Sequence, residues 1–239
     1  MAVAQNHLIE LLPRRERTRL LGICEPVQLV LADVLCEPAR PTRHVYFPID
    51  SFISLLTMID GGKQGLEVGM VGREGMMGVQ MALGVATSPL RALVQGAGAA
   101  WRIGTAEFSA ELARNAPLQR GLNHYLYVLM AQLAASAACL RYHRIGQRLA
   151  RWLLMTQDRA HAERFHVTHE FLAYMLGVRR VGVTMAAGAL EREGLIEYRR
   201  GDLHVLDRPG LEAAACSCYA SDRQAYDDVF ASRRQAEPA

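Results

Sequence analysis

The chain has 239 residues, 51% of them hydrophobic and 21% charged, with a formal net charge of only +3. That is an ordinary globular composition, long enough for two modest domains that each bury a core. So small a net charge does not by itself announce a nucleic-acid partner.

The distribution of charge says more than its sum. Residues 141–208 hold twelve arginines and no lysine against eight carboxylates, so the basic bias lies in the C-terminal half. Arginine in place of lysine favours bidentate contacts to guanine or phosphate, although genome composition alone also raises arginine usage. The five cysteines, Cys24, Cys36, Cys139, Cys216 and Cys218, follow the spacing of neither a disulfide framework nor a four-ligand metal site. No metal is therefore expected, and the odd count points to reduced thiols in the cytoplasm. Cys216-x-Cys218 is the only close pair; it reads as two small residues near a C-terminal helix, with a redox or metal role as the alternative. The N-terminus lacks a basic region followed by an apolar run, so no signal peptide is expected.

In chain order, Asn6 to Ile23 read as one or two amphipathic helices with Leu8, Ile9, Leu12, Leu20 and Leu21 inward. Short β-rich runs follow at Val27–Leu31, His44–Phe47, Phe52–Ile59, Leu66–Val71, Ala92–Gln95 and Ala100–Ile103, punctuated by glycines. Many short strands between glycine turns point to an antiparallel roll or barrel. Thr105 caps a helix to Leu112, and Asn115-Ala116-Pro117 breaks it.

A long helix comes next. Leu118, Leu122, Tyr125, Leu126, Leu129, Leu133, Ala137 and Leu140 fall on one stripe at three- and four-residue spacing. Left alone it exposes too much apolar surface, so a parallel homodimer built on this stripe is expected. Leu122 to Leu140 holds no Asp, Glu, Lys or Arg over a length approaching that of a membrane span. Asn123, His124 and Gln132 interrupt it, and its middle is alanine and serine. A helix buried between protein surfaces explains both, and no membrane partner is expected.

After His143 an amphipathic helix carries Ile145, Leu149, Trp152, Leu153 and Met155 inward, and 160–164 connects it to the most informative stretch, His166 to Asp207. Thr168 reads as an N-cap, Phe171, Leu172 and Met175 as the apolar face of a short helix, and Gly177 as its end. In the second helix Val178, Val183, Ala186, Ala187 and Leu190 point inward, leaving Arg179, Arg180 and Thr184 outward near its N-terminus. Gly182 and Gly188 each cost that helix about 1 kcal/mol relative to alanine, which suggests a marginal helix. Tyr198 to Leu203 makes a hairpin with Arg199 and Arg200 at its tip. Two helices joined through glycine and followed by a basic hairpin read as a winged helix-turn-helix, a device for touching DNA. Thr168, His169, Arg179, Arg180, Thr184, Arg199 and Arg200 are its candidate DNA-binding residues. Beyond Asp207, Arg208-Pro209-Gly210 reads as a turn, Leu211 to Tyr219 as a helix, and the last residues as frayed.

Roll, long helix and winged helix-turn-helix in that order resemble the Crp/Fnr family of bacterial transcription regulators. The resemblance rests on VGREGMMG at Val71–Gly78, VTHEFLAYMLGVRR at Val167–Arg180, LEREGLIEYRRG at Leu190–Gly201 and the spacing between them. It implies an α+β chain: a cyclic-nucleotide-binding-like roll with N-terminal helices over 1–116, a dimerisation helix over 117–143 and a winged helix-turn-helix over 144–239. It also implies a cytoplasmic homodimer on double-stranded DNA, with half-site centres about 34 Å apart, and allows RNA polymerase as a further partner. Arg180 falls where the family reads a base edge. Val181 and Met185 stand where a glutamate and a second arginine are common in the family, and each either touches a thymine methyl or packs.

The sensor departs from the cyclic-AMP-binding members. Gly72 is followed by Arg73 and then Glu74, the later segment is Ser88-Pro89-Leu90-Arg91-Ala92, and no Thr-Ser pair stands near Leu133. Cyclic AMP is therefore not expected, and no effector is assigned. Gly72, Arg73, Glu74, Gly75 and Arg91 are the candidate effector-binding residues, with Arg91 either binding an anion or holding the roll together through Glu74. Only Cys24 and Cys36 precede residue 139, so an N-terminal iron–sulfur centre lacks ligands, and His44 and His124 are assigned no haem. Two other functions compete. A ligand-independent architectural DNA binder is one; an enzyme with a cupin-like roll is the other, but it needs clustered His and Glu where only His44 stands. No catalytic residue is expected.

Overall fold

The computed structural model describes residues 5–62 and 64–234. The expected fraying of the last residues falls in part on 235–239, outside the described residues. Packing gathers the chain into two compact units: residues up to 56, 69–131 and from 225 form one, and 57–68 with 132–224 form the other.

From the N-terminus, α1 (His7–Glu10) and α2 (Arg14–Leu21) precede strands β1 (Glu25–Leu29), β2 (Val34–Cys36), β3 (His44–Pro48), β4 (Phe52–Ile59), β5 (Gln64–Val71), β6 (Arg91–Gly96) and β7 (Gly98–Gly104), of which β4 and β5 run partly into the segment 57–68. The strands form two sheets, ordered β1-β7-β3 and β2-β6-β4-β5. The pairings of β7 with β1 and β3, and of β6 with β2 and β4, are antiparallel, as an antiparallel roll requires. Strand β2 has only three residues, too few for an alternating pattern to mark it in the sequence. One residue joins β6 to β7, yet these strands lie in different sheets. Gly98, at φ +152° and with Asp50 Oδ1 2.6 Å from where a Cβ would stand, makes that crossing possible.

Val45, Phe47, Ile103 and Phe108 are buried with Leu8, Leu20 and Phe230 in one core cluster; Ile53, Val71, Val94 and Ala100 form another. Helix α3 (Thr105–Leu112) leads to Asn115, whose Oδ1 accepts from the Leu118 N–H at 3.1 Å and so starts α4 (Ala116–Tyr142). Asn115 is itself fixed by Glu111, a fully buried carboxylate that also receives Arg19 at 2.8 Å and Arg114 at 2.9 Å. Burial alone would raise the Glu111 pKa, but the hydrogen bonds from Arg19, Asn115 and Arg114 outweigh it and hold the group below the usual carboxylate range.

This turn corrects part of the expected dimer stripe. Leu118, Leu122 and Tyr125 are 1%, 0% and 2% exposed and pack into the core of their own roll, because α4 folds back over the strands it follows. Leu126, Leu129 and Leu133 are half-buried, while Ala137 and Leu140 are exposed. A different row is open: Asn123, Tyr127, Met130, Ala134, Ala137 and Arg141, alternately four and three residues apart, are all exposed. Among the described residues no helix is long and apolar enough to cross a membrane.

The second unit begins its main helices with α5 (Ile145–Ala160), whose Leu149, Trp152, Leu153 and Met155 are buried. Strand β8 (Arg164–His166) stands where only a connector was expected. Then come α6 (His169–Leu176), α7 (Arg180–Arg192), β9 (Ile196–Arg199), β10 (Asp202–Val205), α8 (Arg208–Ala214) and α9 (Cys218–Arg234), whose residues from 225 on belong to the first unit. The three strands form a sheet ordered β8-β10-β9. Residues 208–210, expected as a turn, open α8 instead: Asp207 Oδ1 accepts from the Gly210 N–H at 3.0 Å, and Pro209 sits in the first turn, where no amide partner is needed.

Candidate nucleic-acid interface

Helix α6 starts at Thr168, whose Oγ1 accepts from the Phe171 N–H at 3.1 Å. It stops at Gly177, which adopts φ 61° and ψ 42°, a left-handed conformation that favours glycine. That residue turns the chain through Val178 and Arg179 into α7. On α7 Val183, Ala186, Ala187 and Leu190 are buried, while Arg179, Arg180, Val181, Thr184 and Met185 are exposed. Val181 and Met185 are 63% and 70% exposed, which removes the packing alternative for both. Gly182 has a packing reason as well: a Cβ there would stand 2.9 Å from Ile145 Cδ1 of α5.

His169 binds these elements together. Its ring stacks on Tyr198 of β9, with centroids 4.4 Å apart and planes at 24°, and Nδ1 lies 3.0 Å from Thr184 Oγ1. The Thr184 hydroxyl donates to the Arg180 carbonyl at 3.1 Å. A hydroxyl has one proton, so His169 Nδ1–H is the donor to Oγ1 and the buried Nε2 carries the lone pair. Burial, and then the charge of Arg180, hold the His169 pKa below the ordinary histidine value. Tyr198 donates its hydroxyl to the Val167 carbonyl at 2.5 Å, and burial pushes its pKa up. Tyr198 had not been singled out in the sequence, where one tyrosine in a strand carries no signal of a partner thirty residues away.

The β9–β10 hairpin closes with Arg200 at φ 53° and Gly201 at φ 93°, the two left-handed residues of a type I′ turn. Arg199 is exposed and pairs with Glu197 at 2.8 Å; Arg200 is exposed at the tip. Thr168, His169, Arg180 and Thr184 are thus brought together, with Arg179 at the cap of α7 and the wing arginines on the hairpin.

The candidate effector residues serve the roll in this structure. Arg73 donates to His7 Nε2 at 3.1 Å, and its carbonyl accepts from the His7 N–H at 2.8 Å. Glu74 Oε1 accepts from the Gly72 N–H at 3.1 Å, and the Gly75 carbonyl accepts from Asn6 Nδ2 at 2.9 Å. Arg91 pairs with Glu37 at 3.0 Å, a carboxylate the sequence reading did not name. The expectation of no four-ligand metal set, drawn from chain spacing, is corrected too. Ligand atoms of Cys139, His143, Cys216 and Cys218 lie within 4.8 Å of one another, because the fold returns the α8–α9 junction to the end of α4.

Residues 147–214 match the family model of the Crp-like helix-turn-helix domain. The helix pair and basic wing described above lie inside the match. Solved structures extend the likeness to the fold of most of the chain. A transcriptional regulator of the Crp/Fnr family from Eubacterium rectale is 15% identical with a TM-score of 0.67, over 87% of this chain and 96% of that one. FixK2 from Bradyrhizobium japonicum is 12% identical with a TM-score of 0.66, over 81% and 98%. The c-di-GMP-responsive global regulator CLP of Xanthomonas campestris is 17% identical with a TM-score of 0.64, over 81% and 99%. None of the curated proteins matches this chain by sequence. The chain therefore shares the fold of these Crp/Fnr-family structures, and its residues 147–214 match the Crp-like helix-turn-helix domain.

Proposed function

We propose that the chain is a homodimeric, sequence-specific transcription regulator in which residues 1–116 receive a signal, 117–143 join two copies and 144–239 read a pseudo-palindromic operator in the cytoplasm. The observation that carries this is the open N-terminal face of α7, where Arg179, Arg180, Val181, Thr184 and Met185 project from a Crp-like helix-turn-helix. Arg180 reads a guanine edge, Val181 and Met185 meet thymine methyls, and Arg179 and Thr184 flank them. Thr168 and His169 orient the helix pair, and Arg199 and Arg200 hold phosphates.

Regulators of the Crp/Fnr type are dimers. The face assigned here to the second copy is the exposed row Tyr127, Met130, Ala134 and Ala137, with Leu140 beside it, since Leu118, Leu122 and Tyr125 are engaged in the roll. An anionic effector at Arg91 must compete with Glu37 for the guanidinium. RNA polymerase as a partner rests on the resemblance alone.

Selection of bound genomic fragments with purified protein tests the reading. The expected result is a shared inverted repeat whose half-site centres lie about 34 Å apart. Equal recovery of all fragments contradicts it. Repeating the selection with cyclic AMP, c-di-GMP and oxidising conditions separates a switch from an architectural binder, whose operator affinity no small molecule alters.

A further inference from the structure

Four side chains distant in sequence meet in the second unit. Cys139 and His143 stand four residues apart at the end of α4 and its following turn, so the helix carries both to one side. Cys216 lies between α8 and α9, and Cys218 opens α9. Cys216 Sγ is 3.5 Å from Cys139 Sγ, and Cys218 Sγ is 3.6 Å from His143 Nδ1. All four ligand atoms lie within 4.8 Å of one another.

Those distances describe the shell of a single ion. Tetrahedral zinc, with bonds of about 2.3 Å to sulfur and about 2.0–2.1 Å to nitrogen, sets its sulfur ligands about 3.8 Å apart and its sulfur–nitrogen pairs about 3.6 Å apart. An iron–sulfur cluster spreads its thiolates over separate irons, a wider shell than this one. Three sulfurs and an imidazole are soft and borderline ligands, which excludes magnesium and calcium and suits zinc. The cysteines are 2%, 4% and 8% exposed and His143 is half-buried, so the ligands are already out of water.

The surroundings suit the charge of such a centre. Three thiolates, a neutral imidazole and a divalent ion leave one negative charge. Arg148 and Arg151 both act electrostatically on Cys139 and Cys216. Arg151 is 8% exposed, bonds Asp222 at 2.6 Å and reaches Ser136 Oγ at 3.3 Å. Two guanidiniums against one carboxylate leave one positive charge beside the cluster, opposite in sign to the loaded site.

We propose that Cys139, His143, Cys216 and Cys218 bind one zinc-class ion as a closed Cys3His site that clips the α8–α9 junction to the end of α4. Four protein ligands leave no open position, so the site is structural rather than catalytic. Binding exchanges the three thiol protons for the ion and releases them to solvent. His143 precedes Arg144, the N-cap of α5, so the clip also fixes the turn from α4 into α5. This site goes beyond the DNA-reading function, and metal content reports on it whether or not an operator is found.

The test uses the full-length protein, kept reduced with a phosphine. Elemental analysis of the purified chain should find one zinc per chain. After removal of metal, cobalt(II) alone should produce thiolate-to-cobalt charge-transfer bands and the intense visible bands of tetrahedral cobalt, saturating at one equivalent and bleached by zinc. Cys218→Ser and His143→Gln, which alter the less buried ligands, should each weaken cobalt binding by about 100-fold or more with the wild-type circular-dichroism spectrum retained. The double variant Cys24→Ser/Cys36→Ser should bind as the wild type does. Zinc far below one per chain together with no tetrahedral cobalt spectrum overturns the proposal. So does a cobalt spectrum that neither C218S nor H143Q changes, or a native Cys139–Cys216 disulfide whose reduction brings no metal uptake.

Discussion

Arg180 is exposed on the first turn of α7, with its carbonyl tied to Thr184 and its charge beside the His169 ring. Its substitution by alanine should cost about 1–3 kcal/mol at the operator and leave nonspecific binding nearly unchanged. Competition binding with operator and scrambled duplexes checks this, and an equal loss on both contradicts base reading by Arg180. His169 makes a prediction of a different kind. Its folded-state pKa is lowered, so the neutral ring contributes stability that is present above the unfolded value of about 6.5 and lost as pH falls through the lower folded one. His169→Phe keeps a ring to stack on Tyr198 but cannot titrate. Thermal unfolding from pH 7.5 down to 5 should therefore fall less steeply in H169F than in the wild type, and parallel curves would count against the assignment.

At the scale of elements, the wing and the long helix carry the tests. The wing presents Arg199 and Arg200 from a two-residue turn, with Arg199 already shared with Glu197. Each alanine variant should lower affinity on all sequences and reduce the salt slope by about one, with Arg200 the larger loss because Arg199 already shares its charge with Glu197. Titrations at several salt concentrations measure this, and an unchanged slope in both removes the wing from the phosphates. Helix α4 has one face buried in the core of the roll and a second, exposed row to which the proposal assigns the dimer contact. Met130→Glu, on the exposed row proposed to join two copies, should leave the chain monomeric without lowering the stability of the roll. Leu122→Ala, in the roll's core, should destabilise it by about 2–5 kcal/mol and leave the dimer face intact. Sedimentation and denaturant unfolding distinguish the two, and a dimer that survives M130E places the interface elsewhere. Much of this scale was legible in sequence. Thr168, Gly177 and the basic hairpin declared the helix pair and wing through local chemistry of caps and turns. Strands β2 and β8 did not show themselves, because three residues are too short for alternation to register.

For the whole molecule, the order of roll, long helix and winged helix-turn-helix was readable from periodicity and spacing, since each element's inward face repeats with its own geometry. Local chemistry fixed the start of α6 at the Thr168 cap, its end at Gly177 and the tip of the wing at Arg200-Gly201, and these were determined by the sequence alone. Tertiary structure decided everything that depends on which surfaces meet. It assigned Leu118, Leu122 and Tyr125 to their own roll, opened Val181 and Met185 to solvent, paired Arg91 with Glu37 and stacked His169 on Tyr198. It also gathered Cys139, His143, Cys216 and Cys218 into one shell. The physical reason is common to all of them: periodicity says which face of an element is apolar, but only the path of the chain says what covers that face, and residues in different elements leave no mark of their meeting in the linear text.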